Sequence, residues 1–168
     1  MCESAAVALR AFRKSGVGAE ETLFIYGVGI ISLFIAQWVK AAGIKSIVLA
    51  DEVEDKVDLV QNMGVAMAVQ QGKLSEAMVA DACIECTGTS EGLAECVSHA
   101  RFGGIVVCVG APAEDVEFSQ ETYLGIQQKE LTLVGVTADN AREMEEWEEV
   151  VTAVREGRLD VEALRTLG

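Results

Sequence analysis

The stretch TLFIYGVGIISLFIAQWVKAAGIKSIVLAD, residues 22–51, restricts the fold more than any other part of the chain. Residues 23–26 are a short apolar run, and Gly27-Val28-Gly29 follows as a turn. Residues 30–42 read as a helix, residues 47–50 as a second apolar run, and Asp51 closes the unit. Short apolar runs bounded by turn residues are strands buried on both faces, and strands joined through a helix lie parallel. A strand, a GxG turn, a helix and a strand ending in an acid are what a dinucleotide site requires. Gly27 lets the chain turn tightly, and Gly29 lets the backbone approach a pyrophosphate. The helix N-terminus offers that anion free N–H groups and a partial positive charge. Asp51 lies where a carboxylate can accept both hydroxyls of an adenine ribose. The pattern is incomplete: Ser32 stands where a third glycine is expected, so the match is G-x-G-x-x-S.

The rest of the chain continues the alternation. Ala5, Ala8, Leu9 and Phe12 have helical spacing and predict a helix over 3–14, ended by Gly16 and Gly18. The helix over 30–42 is apolar nearly all round, which requires cover from the sheet and from something else. Val53, Val57, Val60 and Met63 predict a helix capped by Gly64, and residues 65–69 a third strand. A short helix is expected over 73–79, and a fourth strand over 81–87. Ser90 is placed to cap the next helix, and residues 105–109 read as a fifth strand. Residues 116–118 suggest a short extra strand, followed by a brief helix through Gln128 and a sixth strand over 131–136. The last helix, 141–156, is expected to bury Met144, Trp147, Val151 and Val154 and to expose its glutamates, with a tail over 158–168. Six strands alternating with helices predict an α/β single domain: a Rossmann-type doubly wound, six-stranded parallel sheet of order 3-2-1-4-5-6. Residues 1–20 form its leading helix segment and residues 21–157 its core.

Composition narrows the function classes. A net charge of −14 disfavours nucleic acid and anionic membrane surfaces as partners. No apolar stretch approaches the ~20 residues of a membrane span, and no basic segment precedes an apolar one as in a signal peptide. With five cysteines, an odd number, the expectation is reduced thiols in a cytoplasmic protein. Cys83 and Cys86 have CxxC spacing, but in a strand residues three apart face opposite sides, and no second pair exists to complete a zinc ribbon.

Ligands of such sheets bind beyond the carboxyl ends of the strands, where the order reverses. Gly88, Gly110 and Gly135 fall at or beside those ends and read together as backbone cleared for a flat cofactor. Asp51 also stands where a cap for the following helix would; its position about 20 residues past the glycine turn favours ribose binding. Glu52 and Val53 follow it, with no arginine, so a 2′-phosphate would meet two carboxylates; NAD is expected over NADP. Lys56 either reaches the ribose and phosphates or pairs with Asp55 or Glu52. His99, the only histidine, is expected at the surface, opposite Leu93, Cys96 and Val97. No catalytic triad or metal-ligand cluster is visible.

The ordered set CESAAVALRAFRKSGV, GVGIISLFIAQWVKAAGIKSIVLAD, DKVDLVQNMG, IECTGTSEGLAECV, GGIVVCVG, QKELTLVGV and EGRLDVEAL resembles the coenzyme-binding domain of the medium-chain, zinc-dependent alcohol and polyol dehydrogenases. It is most similar to the sorbitol and galactitol-phosphate branch. The resemblance implies hydride transfer between NAD and an alcohol or polyol, with zinc holding the substrate oxygen. By position it implies that Gly27, Gly29, Ile30 and Ile31 hold the pyrophosphate, and that Asp51 binds the adenosine ribose beside Glu52 and Lys56. Cys86 and Thr87 would line the groove, and Val109, Gly110, Ala111, Val136 and Thr137 would meet the nicotinamide. Ser32 in place of glycine would set the helix farther from its strand and weaken affinity. The zinc-bearing catalytic half is expected outside this chain; Glu3 alone matches a position near the family's zinc, and its usual neighbouring proline is Ser4. The resemblance further implies a homodimer through the edge strand 131–136. The main expectation is an NAD-binding domain inactive by itself. The alternatives are a free-standing NAD/NADH sensor and, third, a methyltransferase.

Overall fold

The computed structural model describes residues 2–137, 143–162 and 164. Its order is α1 (Cys2–Ser15), β1 (Thr22–Tyr26), α2 (Ile30–Ala41), β2 (Ser46–Asp51), α3 (Glu54–Met63) and β3 (Met67–Gln70). The second half runs β4 (Ala80–Glu85), α4 (Ser90–His99), β5 (Ala100–Cys108), α5 (Gln120–Gln128), β6 (Thr132–Gly135) and α6 (Glu143–Arg155). The six strands form one parallel sheet in the order β3-β2-β1-β4-β5-β6. This is the predicted doubly wound arrangement, and the order reverses between β1 and β4. No helix among the described residues is long and apolar enough to cross a membrane.

Strand alternation divides the core. Leu23 and Ile25 of β1 join a cluster with α1, α2, α3 and α6, while Phe24 and Tyr26 face a second cluster with Leu93, Cys96 and Val97 of α4. Central strands buried on both faces explain why β1 is apolar without interruption. The all-round apolarity of α2 is accounted for as well, since every residue from Ser32 to Val39 is buried. Full burial of Leu33, Phe34, Ile35 and Val39 is worth about 1.5–3 kcal/mol each. Its outer cover is α1, tied on by the Trp38 indole N–H donating to Ala5 O at 3.0 Å. The residues after α6 complete the cover: Gln37 donates to Asp160 O at 3.2 Å and accepts from Asp160 N–H at 2.7 Å.

Several expectations are corrected. Leu159 and Leu164 are buried in the core, so the described residues after Gly157 pack against the domain. In place of the helix expected over 73–79, residues 70–73 and 75–78 form two turns, closed by Lys73 N–H to Gln70 O and Met78 N–H to Ser75 O. Residues 116–118 form no strand, because β6 already occupies the edge beside β5; Glu117 N–H instead donates to Ser90 Oγ at 2.8 Å. Ser90 is thereby engaged, and α4 is capped by Thr89, whose hydroxyl accepts Gly92 N–H at 3.0 Å.

The largest correction is the phase of α6. Val150 and Ala153 are fully buried and Glu146 nearly so, whereas Trp147, Val151 and Val154 are each more than a third exposed. The side chain of Met144 lies outside the described residues. The helix carries two competing apolar stripes, and the face that wins is the one presenting Glu146 to Arg10 of α1.

Candidate functional site

At the carboxyl end of β1 the chain must turn under β2 and β4 at once. Gly27 donates its N–H to Ala50 O at 2.8 Å and adopts φ +94°. A Cβ there would lie 2.5 Å from Thr87 Cγ2, so the fold itself demands glycine. Gly29 is different: its backbone is extended, and a Cβ would meet nothing within 4 Å. The protein has no internal need for glycine at 29, which leaves approach by an external group as the physical reason. Ser32 is fully buried, and its hydroxyl accepts Gly29 N–H and donates to Gly29 O, both at 2.8 Å. The serine therefore ties the first helical turn back onto the glycine turn, a bond glycine could not make. Ile30 and Ile31 open α2, where N–H groups lack intrahelical acceptors and the helix dipole is positive.

Asp51, only 6% exposed, closes the adjacent corner. Its Oδ2 accepts Val28 N–H at 2.7 Å and its Oδ1 accepts Val53 N–H at 2.9 Å. Lys56 Nζ lies 3.3 Å from Oδ2, so the lysine pairs with Asp51 rather than with Asp55 or Glu52. The carboxylate thus serves as both turn anchor and cap. A carboxylate has about four acceptor positions, so capacity remains beyond these three contacts. Tyr26, Asp51, Glu52, Val53, Lys56 and Thr87 line a cleft of about 190 Å³ here. Burial, then Glu91, Glu52, Glu95 and Asp51, hold the Tyr26 phenol protonated well above its ordinary range. The field on this side is strongly negative, relieved by one lysine.

On the other side of β1 the anchor is a residue that the sequence reading missed. Glu85, 3% exposed at the end of β4, accepts Thr87 N–H at 2.5 Å, the Thr87 hydroxyl, and Gly88 N–H at 2.9 and 3.0 Å. Its own carbonyl accepts Val109 N–H and Gly110 N–H at 2.9 and 3.1 Å. One acid therefore shapes the loops after β4 and β5 together. An acid inside the apolar run ACIEC was the available signal, because a buried carboxylate must find donors. Gly88 and Gly110 acquire an internal reason beside the one expected. A Cβ on Gly110 would sit 2.0 Å from Gly88 N, and one on Gly88 would sit 2.5 Å from the Ala111 carbonyl carbon. These glycines let two loops pack backbone to backbone. Gly135 has open space instead.

The far end of the groove is the exit of β6. Val136 N–H donates to Cys108 O at 2.9 Å, and the exposed Thr137 offers its carbonyl to Arg10 Nη1 at 2.9 Å. The predicted residues thus form a connected rim, from Lys56, Glu52 and Asp51 through Gly27, Gly29, Ile30 and Ile31 at the α2 start to Cys86 and Thr87. It continues through Val109, Gly110 and Ala111 to Val136 and Thr137. His99 is outside this rim and, contrary to expectation, buried. Its Nδ1 lies 2.9 Å from Met78 O, its ring meets Phe24 edge-on at 5.2 Å, and Nε2 is 3.5 Å from Glu95. The 73–79 segment, coiled into turns, folds over it.

The CxxC cysteines face opposite sides of the sheet as expected, Cys83 toward α4 and Cys86 toward the α2 face. Burial pushes the Cys83 thiol up to about 12 and Cys86 higher still, so neither is a ready thiolate at neutral pH. Among the described residues no group of three His, Cys, Asp or Glu side chains could hold a metal, and Glu3 is exposed near the start of α1.

A parallel sheet of this order, with a glycine turn opening α2 and an acid at the end of β2, defines a dinucleotide-binding domain of Rossmann type. Residues 27–156 match the zinc-binding dehydrogenase family model, and the chain belongs to that family as its coenzyme-binding domain. It is 28% identical over 173 residues to a Rhizobium meliloti (strain 1021) protein provisionally named a D-xylulose reductase, covering 98% of this chain and 48% of the relative. The Escherichia coli galactitol-1-phosphate dehydrogenase structure superposes with a TM-score of 0.82 at 25% identity, over 96% of this chain and 50% of that one. A Sinorhizobium meliloti 1021 protein provisionally classed as a zinc-binding dehydrogenase, solved bound to NADP, gives 0.78 at 27% identity, over 96% and 49%. The chain spans about half the length of these relatives.

Proposed function

We propose that this chain is the NAD-binding half of a zinc-dependent alcohol or polyol dehydrogenase and does not oxidise alcohols by itself. The observation that carries the reading is Gly29, a glycine with no internal cause at the N-terminus of α2, beside a buried acid with acceptor capacity to spare. A pyrophosphate fits the open edge of Gly29 and the N–H groups of Ile30 and Ile31. A ribose hydroxyl fits the cleft at Asp51, with Lys56 beside it. When bound, the cofactor supplies the hydride-accepting ring. The chain's own residues hold the phosphates, orient the ribose, and present the loops after β4, β5 and β6 to the remaining half.

NAD is preferred to NADP in this reading because Asp51, Glu52 and the acids around Tyr26 would repel a 2′-phosphate. The NADP-bound relative makes that preference worth measuring. Calorimetric titration should show NADH binding at least about tenfold tighter than NADPH, with no alcohol-dependent NADH production when zinc is supplied. Equal or tighter NADPH binding would refute the preference, and robust turnover would refute the claim of inactivity.

The exposed edge of β6, with Leu133 37% exposed, supports pairing with a second copy. Sedimentation across micromolar concentrations should reveal a dimer; a strictly monomeric profile would contradict it. Five free cysteines support a reducing, cytoplasmic setting.

A further inference from the structure

Arg10 and Glu146 form an ion pair joining α1 to α6, with Nε to Oε1 at 3.0 Å and Nη2 to Oε2 at 2.6 Å. Both side chains are about nine-tenths buried. Joining two helices does not call for charges, since apolar side chains serve that purpose without desolvation and Val150 and Ala153 already do so on the same face of α6. What the pair adds is the third arm of the guanidinium, which donates to Thr137 O at 2.9 Å. The bidentate carboxylate fixes the plane of the guanidinium, and the plane fixes the direction of Nη1.

Thr137 stands two residues beyond β6, at the carboxyl edge where ligands of this sheet bind. Asp51 lies at the end of β2, on the opposite side of the β1 turn. A dinucleotide with its adenosine at Asp51 and its pyrophosphate at the α2 start must extend its second half toward the ends of β5 and β6. The segment 136–137 is held at one end by Val136 N–H to Cys108 O and at the other by Arg10. We infer that the Arg10–Glu146 pair is a positioning clamp that sets the Val136–Thr137 backbone to receive the nicotinamide half of the cofactor, without touching the cofactor itself. This rests on the reading of the groove as a dinucleotide site.

The test separates positioning from stability by comparing NADH with AMP, which reports only the adenosine side. The double variant R10M/E146L replaces the buried pair by apolar side chains, a change that folds tolerate well, but removes the Arg10 hydrogen bond to Thr137 O. R10K keeps the positive charge and loses the fork. For both variants AMP binding should stay within about twofold of the parent while NADH weakens by about tenfold, the loss of one charge-assisted hydrogen bond's alignment. Unchanged NADH binding, or an equal fall for NADH and AMP, would overturn the clamp. Failure of the parent chain to bind either ligand would overturn the dinucleotide reading beneath it, and that failure shows before any variant is made.

Discussion

The groove has two sides that are held in place by different means. On the β2 side, Asp51 gathers Val28 N–H, Val53 N–H and Lys56, all within 30 residues along the chain. On the β6 side, the exit of the strand is held by Arg10, and Arg10 by Glu146, partners separated by 127 and 136 residues. The middle of the groove is intermediate: Glu85 organises its own loop locally but reaches Val109 and Gly110 across the sheet. The local anchor needs only its own βαβ unit, whereas the distant clamp needs both α1 and α6 in place.

Removing one member of the distant pair should have the largest effect. E146A removes the bidentate carboxylate from a buried guanidinium, and a loss of about 3–5 kcal/mol is expected, read as a lower denaturant midpoint. A loss below about 1 kcal/mol would show that α1 and α6 are held chiefly by apolar packing, and the contrast between the sides would shrink.

A smaller pair of effects sharpens the β2 side. G27A forces an L-residue to φ +94° and places a methyl against Thr87, so about 2 kcal/mol should be lost. G29A meets open space, and its stability should change by no more than about 0.5 kcal/mol. NADH binding by G29A should nevertheless fall by about tenfold, as the added methyl crowds the pyrophosphate. Equal stability losses for the two variants would mean that Gly29 is a packing glycine, and the strongest support for the site would be gone.

Much of the near side was legible. The glycine turn, the apolar α2 and the terminal acid have fixed spacings that follow from one strand–helix–strand unit, so pattern and geometry coincide. Lys56 was half legible: its reach was evident, its partner was not, because Asp51, Glu52 and Asp55 all lay in range. On the far side, Thr137 was placed only by resemblance, and neither Arg10 nor Glu146 stood out. Glu146 sits in a run of acids that reads as a solvated face, and nothing along the chain says that an arginine from α1 will meet it. His99 failed for a similar reason. Its own helix pointed it outward, but the turns over 73–79 cover that direction. Gly88 and Gly110 were noticed for their spacing, but that each makes room for the other's loop was not legible along the chain.

By itself the sequence determined the sheet, its order, the glycine turn that opens α2 and the acid that ends β2, because each depends on short-range periodicity or on a glycine within one supersecondary unit. Only the tertiary structure decided which stripe of α6 is buried, what Glu85 and Ser32 hold, and how the exit of β6 is pinned. Those outcomes depend on which two distant surfaces meet, and a buried charge declares its purpose only when its partner is in place.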